Sequence, residues 1–218
     1  SHRMDSQGKI TGSWKSHTDD LDSELFKHDF DMNGWEYIHR FLNIKNTIPN
    51  ASAVLFKKQT YLQIEGACSH LNLIGDWSVW AKIVSRGDIH FSSRCLNDFR
   101  YHATSVIATA KQTSGPFRLR RQIILFRSEI SNFWQHHLSD SELTPQIYKK
   151  NKIFLYKEVV RNCSFAIRRR HFEEIIPTIR DACNILPVYL LPIFMFKMAI
   201  KLIYSIIFDA PIKKLLKK

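Results

Sequence analysis

The chain has 218 residues, 44% of them hydrophobic and 24% charged, which excludes a disordered chain and leaves enough apolar material for a real core. The net charge of +12 is uneven: residues 1–110 balance acid against base, so residues 111–218 carry the whole excess. A basic half beside a neutral half points to an anionic surface as partner, either membrane or nucleic acid.

Four widely spaced cysteines (Cys68, Cys95, Cys163, Cys183) form no CxxC pair, which argues against zinc and against a disulfide framework and fits a reducing cytoplasm. A chain that opens on Ser1 rather than Met, without a secretory pattern, reads as a piece of a longer protein.

Residues 1–34 are polar, with a turn at Gln7-Gly8 and an acidic cluster, Asp19, Asp20 and Asp22. The cluster reads as a solvated loop or helix start, with Thr18 or Asp19 as N-cap. Gly34–Leu42 is expected to form a short helix that turns Trp35, Ile38, Phe41 and Leu42 inward. Pro49-Asn50 breaks the chain, and Ala51–Phe56 reads as a short buried strand. Lys57-Lys58 opens a helix through Tyr61, Leu62 and Ile64 that stops at Gly66.

In Leu73–Asp88, Trp77, Trp80, Ile83 and Val84 recur on one helical face that Gly87 ends. Asp76 heads this helix, at the N-cap or in the first turn, where free N–H groups and the helix dipole favour an anion. Ile89–Phe91 reads as a strand and Leu96–Tyr101 as extended chain. Helix and strand alternate, which predicts an α/β fold.

Near Lys111 the texture changes, and Thr113-Ser-Gly-Pro116 reads as a linker or breaker. Beyond it only helical periods remain. One helix turns Leu119, Ile123, Phe126, Ile130 and Phe133 inward, with Arg118, Arg120, Arg121 and Arg127 beside that face. Pro145 opens a second, with Ile153, Tyr156, Val160, Cys163 and Ile167 inward. Phe172, Ile176, Ile179, Cys183 and Leu186 mark a third, with Pro177 as a candidate kink. Ile185–Phe208 is the most apolar stretch, but Pro187, Pro192, Lys197 and Lys201 argue against a membrane span. After Pro192 the polar positions Lys197, Lys201, Ser205 and Asp209 recur every fourth residue, and Lys213, Lys214, Lys217 and Lys218 follow. That pattern suits a helix lying on an anionic membrane surface, with a helix packed on the protein body as the alternative.

Three blocks resemble, in order, the second half of family 2 glycosyltransferases, the inverting enzymes of the GT-A fold. They are Asn46–Lys58, then Gly75-Asp-Trp-Ser-Val-Trp80, then Asp88–Phe91 running into Leu96–His102 and Ser105-Val106. The likeness covers residues 1–108; much of the family has an acidic pair where this chain has Gly75-Asp76, so only the second acid matches.

The resemblance implies an α/β chain organised as the acceptor-side half of a GT-A domain (1–110) followed by a helical basic tail (111–218). It implies transfer of a sugar from a nucleotide-sugar donor to a glycan or lipid-linked acceptor. By the same resemblance Asp76 is the general base, Trp77 a wall of the sugar site, and Asn50, Ser52 and Arg100 substrate-binding residues. His102 would be a ligand to a divalent metal, Mg²⁺ or Mn²⁺. In the family a D-x-D metal motif follows a buried strand; Asp20-Leu-Asp22 follows Ser13–Thr18 instead and is not that motif. The nucleotide-binding half, with most metal ligands, is therefore expected outside this chain, which alone is expected to be inactive. The location implied is cytoplasmic, on the inner face of the membrane. Two other readings remain, a non-catalytic membrane-surface adaptor and a nucleic-acid-binding module. Arg168-Arg-Arg170 comes without a helix–turn–helix or RNP signature, so nucleic acid is not the expected partner.

Overall fold

A computed structural model describes residues 1–102, 105–137, 143–183 and 191–204. The first strands, β1 (His2–Met4) and β2 (Ile10–Ser13), form a hairpin closed at Gly8, whose φ of +91° is the left-handed conformation glycine adopts without strain. β3 (Phe30–Met32) precedes α1 (Gly34–Tyr37), which continues as a π turn over Ile38–Leu42. α2 (Lys58–Gln63), α3 (Gly75–Val84), β4 (Ile89–Phe91) and β5 (Asp98–Arg100) complete the neutral half. β1 pairs antiparallel with β2 and parallel with β5, while β3 pairs antiparallel with β4. The basic half is helical: α4 (Val106–His137), α5 (Thr144–Arg169), α6 (Ile175–Cys183) and α7 (Leu191–Tyr204). The fold is mixed α/β, with short strands and long helices.

Several expectations need correction. Ala51–Ala53 is a 3₁₀ turn rather than the start of a buried strand, and Leu55 is wholly exposed, because Asn50 caps the turn by accepting the Ser52 N–H at 3.1 Å. Strands β1, β2 and β3 leave no mark in the sequence pattern because each is only three or four residues long. Asp19 follows a 3₁₀ turn (Lys15–Thr18) instead of opening a helix, and the cap is Asp22, which accepts the N–H groups of Glu24 and Leu25. The expected linker at 113–116 lies inside α4, whose backbone stays helical through Pro116 although proline costs an interior helix about 3 kcal/mol. Just beyond it the buried Phe117 ring packs on Phe165 and His171, an anchorage that composition does not reveal.

The inward faces of the later helices match the expectation in part. α5 buries Val160 and Cys163 as expected, with Tyr156 packed against them, but also Ile147, Asn151, Leu155 and Val159, and it leaves Ile153 exposed; Ile179 of α6 packs on the same cluster. Phe172 and Ile176 point outward, while Thr178 and Ala182 of α6 are buried, and Pro177 sits in the first turn, where no hydrogen bond is lost. Leu186, Ser205, Asp209 and the terminal lysines lie outside the described residues.

One apolar cluster joins the two halves. Ile38, Phe41 and Leu42 meet Trp77, Trp80 and Val84 of α3, and these meet Phe126, Ile130 and Trp134 of α4 and Ile147 of α5. A change of charge at residue 110 is therefore not a boundary in the core. Arg127, which the sequence places beside the packed face, is buried at its centre. Its guanidinium donates to the backbone and side-chain oxygens of Asn43 and to Asn151 Oδ1 at 3.0 Å, between the rings of Trp77 and Phe154. Burial pushes its pKa down to about 9, which leaves it charged at neutral pH.

α1 meets the far end of α3 at Gly34. A Cβ there would stand 1.8 Å from the Val84 carbonyl oxygen and 2.1 Å from that of Gly87. Both obstacles are backbone, so neither can rotate away. Gly34→Ala is expected to cost at least about 1–3 kcal/mol, the range for overpacking, read as a lower midpoint in urea with an unchanged slope.

Candidate functional site

Asp76 lies in the first turn of α3, half-buried, with Oδ1 accepting the Trp77 N–H at 2.7 Å. The Asn46 side chain is its second partner. Asn46 Oδ1 accepts the Ile48 N–H at 3.1 Å, so its amide N–H₂ is what faces the carboxylate. Burial raises the Asp76 carboxyl above its ordinary value; hydrogen bonds from the Trp77 N–H, the Asn46 side chain and its own backbone N–H, which favour the charged form, oppose that without cancelling it. A half-buried carboxylate with a raised pKa is a better proton acceptor than an ordinary surface one.

From Asn46 a chain of contacts leads to the first sheet. The Asn46 carbonyl oxygen is 2.8 Å from His17 Nε2, the His17 ring meets Trp14 edge-on at 5.1 Å, and Trp14 stacks on Tyr101 at 6.4 Å. Tyr101 and His102 line a basin of about 430 Å³ with Met4, Asp5, Ser6 and Thr11. The basin sits where β1, the turn after it and the end of β5 come together. Arg100 Nη1 donates to the Ser6 carbonyl oxygen at 3.2 Å and so ties β5 to that turn.

The other expected site residues fall as follows. Asn50 is buried and spends its amide on Ser1 and Asn97, which pins the 46–53 loop to both β1 and β5. Ser52 is exposed, its N–H capped by Asn50 and its carbonyl oxygen 3.5 Å from Asn97 Nδ2. Trp77 requires correction. The resemblance made it a wall of the sugar site, but only 6% of it is accessible. Its indole N–H donates to the Leu42 carbonyl oxygen at 2.9 Å and its ring stacks on Phe126 at 4.3 Å. An indole held between Phe126 and Arg127 offers no face to a sugar. Trp80 is buried too, against Phe56.

His102 is exposed at the rim of the basin. Asp5, the carboxylate nearest it in the basin lining, accepts the N–H groups of Gln7 and Lys9 at 2.9 Å and is occupied by its own turn. Among the described residues no group of three His, Cys, Asp or Glu is arranged to hold a metal ion.

Sequence reasoning missed Asn46 and His17, whose link between Asp76 and the first sheet depends on partners far away along the chain. It also missed a polar cluster on the far side of α3, where Lys82 meets Glu129 of α4 and Cys68. No family model, no curated protein and no solved structure matches this chain.

Proposed function

We propose that this chain is the acceptor-side part of a nucleotide-sugar-dependent, inverting glycosyltransferase in which Asp76 is the general base. The observation that carries the reading is the environment of Asp76: burial favours proton uptake, and Trp77 N–H and the Asn46 amide fix the carboxylate's direction. An acceptor hydroxyl placed on it would lose its proton as the oxygen attacks the sugar carbon and the nucleotide leaves. In this reading the acceptor glycan approaches along the face running from Asp76 past His17 and Trp14 to the basin at Tyr101. Asn50, Ser52 and Arg100 act indirectly, by holding the loops that border this face. The nucleotide diphosphate and its divalent ion, Mg²⁺ or Mn²⁺, are assigned mainly to residues outside this chain, with His102 as a ligand from this chain. The test is sugar transfer by the intact enzyme carrying Asp76→Asn; unaltered turnover would refute the assignment.

We further propose that the basic half attaches the enzyme to an anionic membrane surface, the cytoplasmic face being the expected one. Among the described residues no helix is long and apolar enough to cross a membrane. α7 nevertheless leaves Met195, Phe196, Ile200, Ile203 and Tyr204 exposed, with Phe196 68% accessible. Apolar insertion and attraction of the excess positive charge would act together. Phe196→Asp combined with Ile200→Asp is expected to abolish cosedimentation with phosphatidylserine vesicles. The unmodified protein should release them as salt approaches 1 M, where the screening length is about 3 Å. Binding by the double variant equal to that of the parent would favour a helix that packs on protein instead.

A further inference from the structure

On the side of α3 away from Asp76, a lysine lies almost out of contact with solvent beside a thiol. Lys82 is 6% exposed; its ammonium is 2.6 Å from Glu129 Oε1, 3.3 Å from Cys68 Sγ and 5.3 Å from the centre of the Phe133 ring. The Cys68 thiol donates to the same Glu129 oxygen, Ser78 Oγ is 3.5 Å from it, and His70 Nε2 is 3.1 Å from Oε2. One carboxylate therefore touches both an amine and a thiol that are themselves in contact. The loop bearing Cys68 is held by Gln122 of α4, which donates to the His70 carbonyl oxygen at 2.9 Å and accepts the Leu73 N–H at 2.7 Å. Burial and the ion pair with Glu129 hold the amine against the sulfur. Cys68 is half-buried, so a small oxidant can reach it, and it is a free thiol, as are Cys95 and Cys163.

We propose that Cys68 and Lys82 are a peroxide-responsive pair that closes into a covalent, thiol-reversible sulfur–nitrogen cross-link. In the first step the sulfur, its proton passing to Glu129, attacks an oxygen of hydrogen peroxide; the S–O bond forms and the O–O bond breaks. Hydroxide leaves and takes up the proton as water, so sulfur loses two electrons and peroxide gains them, giving a sulfenic acid. In the second step Lys82 gives a proton to Glu129 and its nitrogen attacks the sulfur. The S–N bond forms, the S–O bond breaks, and a second water leaves with no further change in oxidation state. Condensation of a sulfenic acid with a neighbouring nitrogen is established chemistry for cysteine. Here the nitrogen is a side-chain amine already in van der Waals contact. Two equivalents of an external thiol reverse the link: the first displaces the amine by attack on sulfur, the second releases Cys68 by disulfide exchange. The ring so closed contains Gly75, Asp76 and Trp77, so oxidation would lock the segment that leads into α3.

The sequence makes the test direct, because no Lys or Arg lies between Lys58 and Lys82, and the next cleavage site is Arg86. The full chain is treated with hydrogen peroxide, alkylated and digested with trypsin. The expected product is a peptide spanning 59–86, uncut at Lys82 and lighter by two hydrogens, which dithiothreitol returns to 59–82. Cys95 and Cys163 should give no lysine adduct. The Lys82→Arg variant keeps a cation for Glu129 without the nucleophilic amine, and should instead leave a Cys68 sulfenic acid that dimedone traps. In the unmodified protein, a Cys68 sulfinic or sulfonic acid beside a Lys82 still cleaved by trypsin would overturn the proposal. So would a cross-link that retains an oxygen between sulfur and nitrogen.

Discussion

Under the proposed function, replacing Asp76 with Asn in the intact enzyme is expected to reduce turnover about 10²–10⁴-fold, the contribution of a positioned general base, with donor binding nearly unchanged. The same substitution should raise the melting temperature at neutral pH. Burial lifts the folded-state pKa of Asp76 above its ordinary 3.8, so the folded protein binds this proton more tightly than the unfolded chain does. Below 3.8 both states are protonated and the carboxyl costs nothing; as pH rises through the folded-state value, folding must bury a charge and stability falls. Asn carries no charge at any of these pH values, and its Oδ1 can still accept the Trp77 N–H. The variant's advantage should therefore be present at neutral pH and fade as pH drops toward 3.8. A carboxylate that served only as a helix cap would differ in turnover alone. Asn caps a helix about as well as Asp, so the gain in stability would be the same and turnover would stay within tenfold of the parent. Turnover of this variant thus separates the two roles.

The largest structural effect is expected at Arg127. Arg127→Met keeps most of the volume between Trp77 and Phe154 but strands the Asn43 oxygens and Asn151 Oδ1 in the core. An unsatisfied buried acceptor costs about 1–3 kcal/mol. Relief of the buried charge offsets part of this, and a net loss of about 3–5 kcal/mol is expected, near the top of the range for single substitutions. Arg127→Lys should recover only part, since one ammonium cannot span acceptors that a planar guanidinium reaches together. Chemical denaturation measures both. A methionine variant as stable as the parent would mean that the acceptors find other donors and that the arginine is a burden rather than a tie.

The contrast between Asp76 and Arg127 shows what the sequence could and could not convey. α3 was legible because its stop at Gly87 and its tryptophan spacing are local; Asp76 fell in the first turn as the pattern predicted. α1, α2, β4 and β5 were legible for the same reason, short apolar periods punctuated by glycine or proline. Arg127 was not, because a cation is buried only when acceptors arrive from elsewhere, here from Asn43 and Asn151. Trp77 failed in the opposite sense. Helical spacing gave its side of α3 correctly, but nothing in the neutral half announces that Phe126 of α4 will cover it. α5 shows a third limit: Asn151 and Asn162 are buried polar positions, so a count of apolar residues rotates the inward face away from its true direction.

The knot at Arg127 also bears on how the protein comes to be made. Asn43 is joined to a guanidinium 84 positions later and, through its amide, to the Ile147 carbonyl oxygen 104 positions later. Loops of that length close slowly, and chains rich in such contacts fold late relative to their synthesis. A nascent chain that has emerged only as far as residue 110 carries Ile38, Leu42, Trp77 and Trp80 without the helices that cover them. At about 5–20 residues per second the ribosome leaves that surface bare for several seconds. During that interval the neutral half is an open apolar face in a crowded solution. Its safe passage depends on chaperones, or on the basic helices arriving before a neighbouring chain does.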